Sequence, residues 1–480
     1  MIILKEIQRH SKEQPQKVAL IENNTEVTYL QLWKQILSAS EYFKTIGNNG
    51  DRVMLAANKS VDFVYAYFGA QLAGRITVTV DSAINPLRLK RIYDSACPIA
   101  IFGHFDEPQS DYNVTSFSEI DIEKIVNEVG IVFPNDSDMA DILFTTGTTG
   151  FPKGVVLSHE NEYIAATMIN MFIGNTSDDI EILALPISHS FGLGRLRCTL
   201  VNGGTIDLLG SFVNVKKFFR EIETRKITGF GMVPASWNYL KKTSGEKIGQ
   251  YANQLRYIEI GSAPMKLEDK EMLIKLLPNT RICMHYGLTE ASRSLFICFN
   301  EEKNYLNSIG HPSPNVSAKI FGENGEEMPI NEPGELCVKG GHVCCSYWGV
   351  DNAKYKDSFF GEYFRTGDWG YKDDNGYFYL ISRAKELINV GGKKVSPIEV
   401  EEVINKIEGV EESACIAVPD EVLGEAVKAF VVKSKGDVSE KTIINYAKSC
   451  LESYKVPISV EFIDEIPKTS SGKVQRLLLR

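Results

Sequence analysis

Arg52-Val-Met-Leu-Ala-Ala57, Ser60 through Ala73 and Ile76-Thr-Val-Thr-Val80 follow one another almost without a gap. After its arginine the first run is apolar throughout, as in a buried strand. The second has helical length, and the third is β-branched and strand-like. Strand, helix, strand in that order predicts parallel strands joined by a crossover helix, the unit of an α/β fold. The pattern recurs at Glu181-Ile-Leu-Ala-Leu185, Gly204-Thr-Ile-Asp-Leu-Leu209 and Leu255-Arg-Tyr-Ile-Glu-Ile260, so a large region of parallel-rich α/β sheets is expected. Upstream, Thr28 to Phe43 reads as an amphipathic helix. Thr28 and Gln31 match a capping box, Leu30, Trp33, Leu37 and Phe43 keep helical spacing, and Gly47 suits the stop.

After Gly310 the character changes. Ala318-Lys-Ile-Phe321, Gly334-Glu-Leu-Cys-Val-Lys339 and Gly376-Tyr-Phe-Tyr-Leu380 read as short strands between turn residues, a small antiparallel barrel or sheet. Beyond Ser382 come a helix (397–406), two strands (413–418 and 426–432) and a helix (439–451), a compact α+β unit. The expected organisation is an N-terminal domain over 1–383, whose last part from about 310 is a β-rich, barrel-like subdomain. A C-terminal α+β domain over 384–480 follows it. A chain of 480 residues is long enough for about three folding units and a large apolar core.

Composition narrows the function. Hydrophobic residues at 43% and charged residues at 24% match soluble globular proteins and exclude a disordered, collagenous or membrane-bundle chain. A formal charge of −10 disfavours nucleic acid and anionic membrane as partners. The nine cysteines form no CxxC and no zinc-ligand spacing with histidine, which reads as reduced thiols in a cytoplasmic protein. Met1-Ile-Ile-Leu-Lys5 meets charge too early for a signal core. The apolar stretch from Phe191 to Leu209 is cut by Arg195, Arg197 and Asp207, so no membrane segment is expected.

The strongest chemical signal is Thr145-Thr146-Gly147-Thr148-Thr149-Gly150-Phe151-Pro152-Lys153-Gly154, set between the apolar runs Asp141-Ile-Leu-Phe144 and Val155-Val-Leu157. A phosphate chain needs backbone N–H groups that approach closely, hydroxyl donors and a cation, and this loop supplies all three. It is not a Walker loop, which requires Gly-Lys-Ser/Thr. Further strings follow in order: Leu185-Pro-Ile-Ser-His189-Ser-Phe191-Gly192, Gly261-Ser-Ala263-Pro264, Tyr286-Gly-Leu-Thr289-Glu290 and Gly334-Glu-Leu336. Then come Phe364-Arg-Thr-Gly-Asp368, Ser382-Arg383-Ala-Lys385-Glu-Leu-Ile388 and Pro467-Lys-Thr-Ser-Ser-Gly-Lys473.

This ordered set resembles the adenylate-forming superfamily: acyl-CoA synthetases, peptide-synthetase adenylation domains and firefly luciferase. The resemblance covers nearly the whole chain. It implies ATP and Mg²⁺ as cofactors and a small-molecule carboxylic acid as substrate, with coenzyme A or an acyl-carrier protein as thiol acceptor. It further implies that Thr145, Thr146, Gly147, Thr148, Thr149, Gly150 and Lys153 cradle phosphate. Glu290 would hold Mg²⁺, Thr289 would donate to the α-phosphate, and Tyr286 and Ala263 would flank adenine. Asp368 would accept the ribose hydroxyls with Arg383 nearby, and His189 would border the bound carboxylate.

Lys473 would insert between carboxylate and α-phosphate, where its charge offsets the repulsion of two anions. Rotation of the C-terminal domain about Lys385 would then withdraw it and present Gly391 and Gly392 to the pantetheine arm.

Short-chain members of the superfamily close the acyl pocket with Trp, where this chain has Gly287. The resemblance therefore implies a fatty or aryl acid larger than acetate. No Asp stands near His189 to pair an ammonium, which disfavours amino acids. His285 precedes Tyr286 where many relatives have Gly, so part of the pocket floor would be filled. For Arg195, Arg197 and Arg293 the plain reading is structural ion pairs. The sharper one places Arg195 or Arg293 against a polar acid. A luciferase-like adenylate oxidase and a non-catalytic nucleotide binder are the alternatives from other classes.

Overall fold

The computed structural model describes residues 1–107, 109, 111–120, 130–146, 152–383, 386–390, 393–420, 423–434, 438–468 and 474–479, with backbone alone at 146, 383, 394 and 477. Contacts group the chain into two compact units, Met1–Ser317 with Val338–Phe364, and Ala318–Cys337 with Arg365–Arg480.

In the first unit the expected crossover is present. Strand β1 (Arg52–Ala56), helix α1 (Val61–Leu72) and strand β2 (Ile76–Val80) follow in order, and β1 and β2 pair in parallel from Arg52↔Ile76 to Ala56↔Val80. Ser60 caps α1 by accepting the Phe63 N–H at 3.2 Å. Every residue of β2 is buried, which explains its unbroken β-branched and apolar run. Strand β3 (Met139–Thr146) lies parallel to β2, then turns back as β4 (Pro152–Ser158) with Thr145 opposite Lys153. Ser158 starts helix α2 (His159–Ile173) through a capping box with Asn161. The earlier capping box of Thr28 and Gln31 also forms, on a helix over Tyr29–Thr45.

A second, nine-stranded sheet holds β5 (Ile180–Ile182), β6 (Gly229–Met232), β7 (Tyr257–Ile260) and β8 (Arg281–Tyr286) side by side and parallel. Strand β9 (Leu295–Cys298) returns antiparallel to β8. Strand β10 (Ser346–Tyr347) adds to the β3–β4 sheet, with Tyr347 opposite Val155. The apolar run Leu183 to Leu185, expected as strand, stays buried but leaves the ladder ahead of Pro186.

Helix α3 (Ser190–Asn202) ties the two sheets together through charge. Arg195 is 0% exposed and donates from Nε to Glu181 Oε1 at 2.8 Å and from Nη1 to Glu259 Oε2 at 3.1 Å. Arg197 reaches the other sheet, pairing with Asp141 of β3 and with Glu162 of α2 at 2.8 Å. Burial drives the Glu162 carboxyl above its ordinary range against the pull of Arg197. These arginines are structural ion pairs.

In the second unit, β11 (Tyr363–Lys372, which enters from the first unit) pairs antiparallel with β12 (Phe378–Arg383). Helix α4 (Pro397–Ile404), strands β13 (Val410–Asp420) and β14 (Gly424–Lys433) and helix α5 (Glu440–Cys450) follow as expected. Their core gathers Val395, Val400, Ile404, Cys415, Val427 and Val431. The contacts divide the chain differently from the expected break at 384. Thr366 Oγ1 bonds Leu336 O and Ser396 Oγ bonds Ile381 O, each at 2.6 Å, so β-rich residues pack continuously with the C-terminal ones. The expected hinge, Lys385, lies outside the described residues. All nine cysteines are free thiols.

Candidate functional site

Because β5, β7 and β8 run parallel, the segments after them leave from one edge of the sheet, where open α/β sheets bind ligands. These segments carry His189, Ala263, and Tyr286 with Thr289 and Glu290. Gly261 opens the middle segment because a Cβ there would lie 2.1 Å from the His285 ring. Ser262 follows with φ 73°, a left-handed conformation rare outside glycine and concentrated at functional sites.

His285 packs edge-on against Phe191 with ring centroids 4.6 Å apart, and its Nδ1 lies 2.7 Å from Glu259 Oε1. Burial would raise the Glu259 carboxyl, but Arg293, His285 and Arg195 together hold it well below the usual carboxylate range. Arg293 is 2% exposed. It donates to Glu259 Oε1 at 3.0 Å and to the Ser190 and Phe191 carbonyls at 2.9 Å each. It thereby fastens the segment after Glu290 to the start of α3, where His189 is the N-terminal cap residue with an exposed side chain. Arg195 spends its charge on two carboxylates and presents none of its surface to a ligand, so the sharper reading of that residue fails. Gly287 likewise has a packing explanation. A Cβ there would sit 2.3 Å from the Arg293 backbone nitrogen, so the position excludes any side chain whatever the acid.

In the hairpin β3–β4 Thr145 stands opposite Lys153, and Thr145 Oγ1 bonds Lys153 O at 3.4 Å. The Lys153 ammonium lies 3.1 Å from the centroid of the Tyr347 ring, whose hydroxyl donates to Glu290 Oε1 at 3.1 Å. The Glu290 backbone is pinned by Cys344 N–H to its carbonyl at 2.7 Å and by the bridge Ala291↔Val343. Tyr347 was not singled out by sequence. It stands 57 positions beyond Glu290 in a run of aromatics, and only strand pairing brings it here.

Among the described residues no three His, Cys, Asp or Glu side chains cluster as a metal cage. A lone hard carboxylate suits Mg²⁺, which takes one or two protein carboxylates and completes its shell with phosphate and water.

Asp368 and Arg383 belong to the second unit, where they stand opposite each other on β11 and β12. Asp368 is 5% exposed, and its N–H bonds Thr366 Oγ1 at 3.1 Å beside the left-handed Gly367 (φ 72°). Gly147, Thr148, Thr149, Gly150, Lys385, Gly391, Gly392 and Lys473 lie outside the described residues, as do the side chains of Thr146 and Arg383. The segment carrying Lys473 is flanked by the bridge Lys468↔Val474 and by Gln475 N–H to Pro467 O at 2.8 Å. Arg476 anchors the terminal turn, with Nη2 on both Glu401 oxygens at 2.7 and 2.9 Å and Nη1 on Glu386 at 2.9 Å.

Two sheets with parallel cores, a Thr/Gly hairpin and a lysine and carboxylate beside it define a nucleotide-handling α/β enzyme site. The AMP-binding enzyme pattern matches residues 7–348 and the AMP-binding enzyme C-terminal domain matches residues 399–473. The chain belongs to the AMP-binding enzyme family.

It is similar to long-chain-fatty-acid–CoA ligase FadD13 of Mycobacterium tuberculosis, at 31% identity over 97% of this chain and 95% of the relative. It is also similar to 2-succinylbenzoate–CoA ligase of Bacillus cereus, at 27% identity over 97% of this chain and 95% of the relative. Among solved structures, ATP-bound MatB from Rhodopseudomonas palustris superposes with a TM-score of 0.90, at 27% identity over 100% of this chain and 98% of that one. O-succinylbenzoate CoA synthetase from Bacillus subtilis, in complex with its acyl-adenylate intermediate, gives 0.89 at 25% identity, over 99% of this chain and 97% of that one.

Proposed function

We propose that this enzyme uses ATP to activate a fatty or aryl carboxylic acid as an acyl-adenylate and passes the acyl group to coenzyme A, releasing AMP and pyrophosphate. The observation that carries it is the Lys153–Tyr347–Glu290 arrangement, which sets a cation and a hard carboxylate against one tyrosine next to the β3–β4 hairpin. Relatives named as fatty-acid and aryl-acid CoA ligases support the acid class and the thiol.

Lys153 and the hairpin donors bind the phosphates, and Thr289 donates to the α-phosphate. Glu290 holds Mg²⁺, which when bound neutralises phosphate charge. Ala263 and Tyr286 flank adenine, while Asp368 receives the ribose hydroxyls with Arg383 beside it. His189 orients the carboxylate, and Lys473 screens it from the α-phosphate during attack. Rotation about Lys385 then exchanges Lys473 for the Gly391–Gly392 face toward the thiol. Free cysteines and the absence, among the described residues, of any helix long and apolar enough to cross a membrane support a cytoplasmic enzyme.

The test is incubation with ATP, Mg²⁺ and a panel of fatty and aryl acids, with and without coenzyme A, read by mass spectrometry. Acyl-CoA and AMP are expected. Acyl-adenylate that coenzyme A does not consume but a carrier protein does would move the acceptor to a carrier. No acid-dependent AMP with any acid would overturn the proposal.

A further inference from the structure

Tyr347 touches both charges that the phosphates and metal require, and its surroundings fix it there. On β10 it faces Val155 of β4, and Lys153 two residues before Val155 lies on the same face. The next residue, Trp348, turns to the opposite face against Gly154, where a Cβ would come within 2.9 Å of the Trp348 Cβ. A one-residue slip would exchange the two aromatics and lose the arrangement. Tyr355 packs edge-on against Tyr347 at 5.7 Å, and Phe359 against Tyr355 at 5.2 Å. The Tyr355 hydroxyl donates to the Cys344 carbonyl, the residue whose N–H holds Glu290. Tyr347 is 6% exposed, so its ring and hydroxyl are held in place by packing.

A lysine and a glutamate brought into contact at one site attract each other strongly where water shields them only in part. A direct pair would have to break before phosphate and metal could enter. We propose that Tyr347 is a positioning residue of the nucleotide site: its hydroxyl aims the Glu290 carboxylate for Mg²⁺, and its ring face holds the Lys153 ammonium ready for phosphate. The proposal rests on the assignment of Glu290 and Lys153 to metal and phosphate made above.

The test is calorimetric binding of ATP without acid, across a magnesium titration, for the unaltered protein and for Tyr347→Phe, Tyr347→Leu and Glu290→Gln. Tyr347→Phe keeps the ring and the packing. It is expected to need about tenfold more Mg²⁺ for half of the full gain in ATP affinity, the scale of one hydrogen bond to a charged group. Its ATP affinity without Mg²⁺ should stay the same. Tyr347→Leu is expected to weaken metal-free ATP binding as well, by about fivefold, through loss of the ring beneath Lys153. An unchanged magnesium midpoint in Tyr347→Phe with a shifted one in Glu290→Gln would overturn the proposal and leave the metal assignment standing. Unchanged midpoints in both would overturn the metal assignment and the proposal with it. A purely structural Tyr347 would lower thermal stability without moving the magnesium midpoint, and that result also counts against the proposal.

Discussion

Arg195 and Arg197 stand two residues apart on α3 and reach in opposite directions, Arg195 to Glu181 and Glu259 of the nine-stranded sheet and Arg197 to Asp141 of the other. Positions i and i+2 of a helix point to different faces, so one helix cross-braces both sheets at the level of the site. Removing one partner of a buried pair leaves uncompensated charge and costs about 3–5 kcal/mol. Arg195→Ala should lose that much stability in denaturant unfolding, while the protein that remains folded keeps its preference among plain and oxygenated acids. A changed preference would return Arg195 to the substrate pocket.

Gly287→Ala forces a Cβ into the Arg293 backbone at 2.3 Å. It should destabilise by about 1–3 kcal/mol, the cost of overpacking, with an unaltered profile over acid chain length. A stable variant shifted toward short acids would show that residue 287 sizes the pocket after all.

The fold was readable because its signals are local. The strand–helix–strand of residues 52–80 carries its periods and caps in sequence, and Thr28 and Gln31 form the expected capping box. The motif residues of the site were readable as ordered strings, yet their supports were not. Tyr347 reaches Glu290 only through the pairing of β10 with β4, and Arg293 reaches Ser190 across 103 positions. Gly287 and His285 drew a pocket reading from sequence, whereas the contacts that fix them are a backbone approach and a buried carboxylate.

His342 is 1% exposed, with Nε2 against Ser294 Oγ at 2.9 Å, and burial lowers its pKa from 6.5 to about 4. In the unfolded chain it titrates near the ordinary value, so between about pH 6.5 and 4 the unfolded state binds the extra proton. Stability contributed by the neutral ring is complete above that window and falls as pH drops through it, by about 3 kcal/mol in all. His342→Gln should lose correspondingly less stability from pH 7 to pH 4 in urea titrations. Equal losses in both proteins would contradict this.

Arg476 holds the buried Glu401 carboxylate bidentately and also Glu386, the first described residue after the expected hinge. Arg476→Ala strands the Glu401 charge, so amide protection in β13 and β14 should fall by about 3 kcal/mol in hydrogen exchange. Full protection in the variant would show that the tail is held by its apolar contacts instead.

We propose that Lys473 serves the first half-reaction alone. Acid-dependent exchange of pyrophosphate into ATP, measured beside thioester formation from pre-made acyl-adenylate, tests it in Lys473→Ala. Loss of exchange by about a hundredfold, the scale of one transition-state charge contact, with thioester formation nearly intact is the predicted result. Equal loss in both steps, or undiminished exchange, would contradict the account.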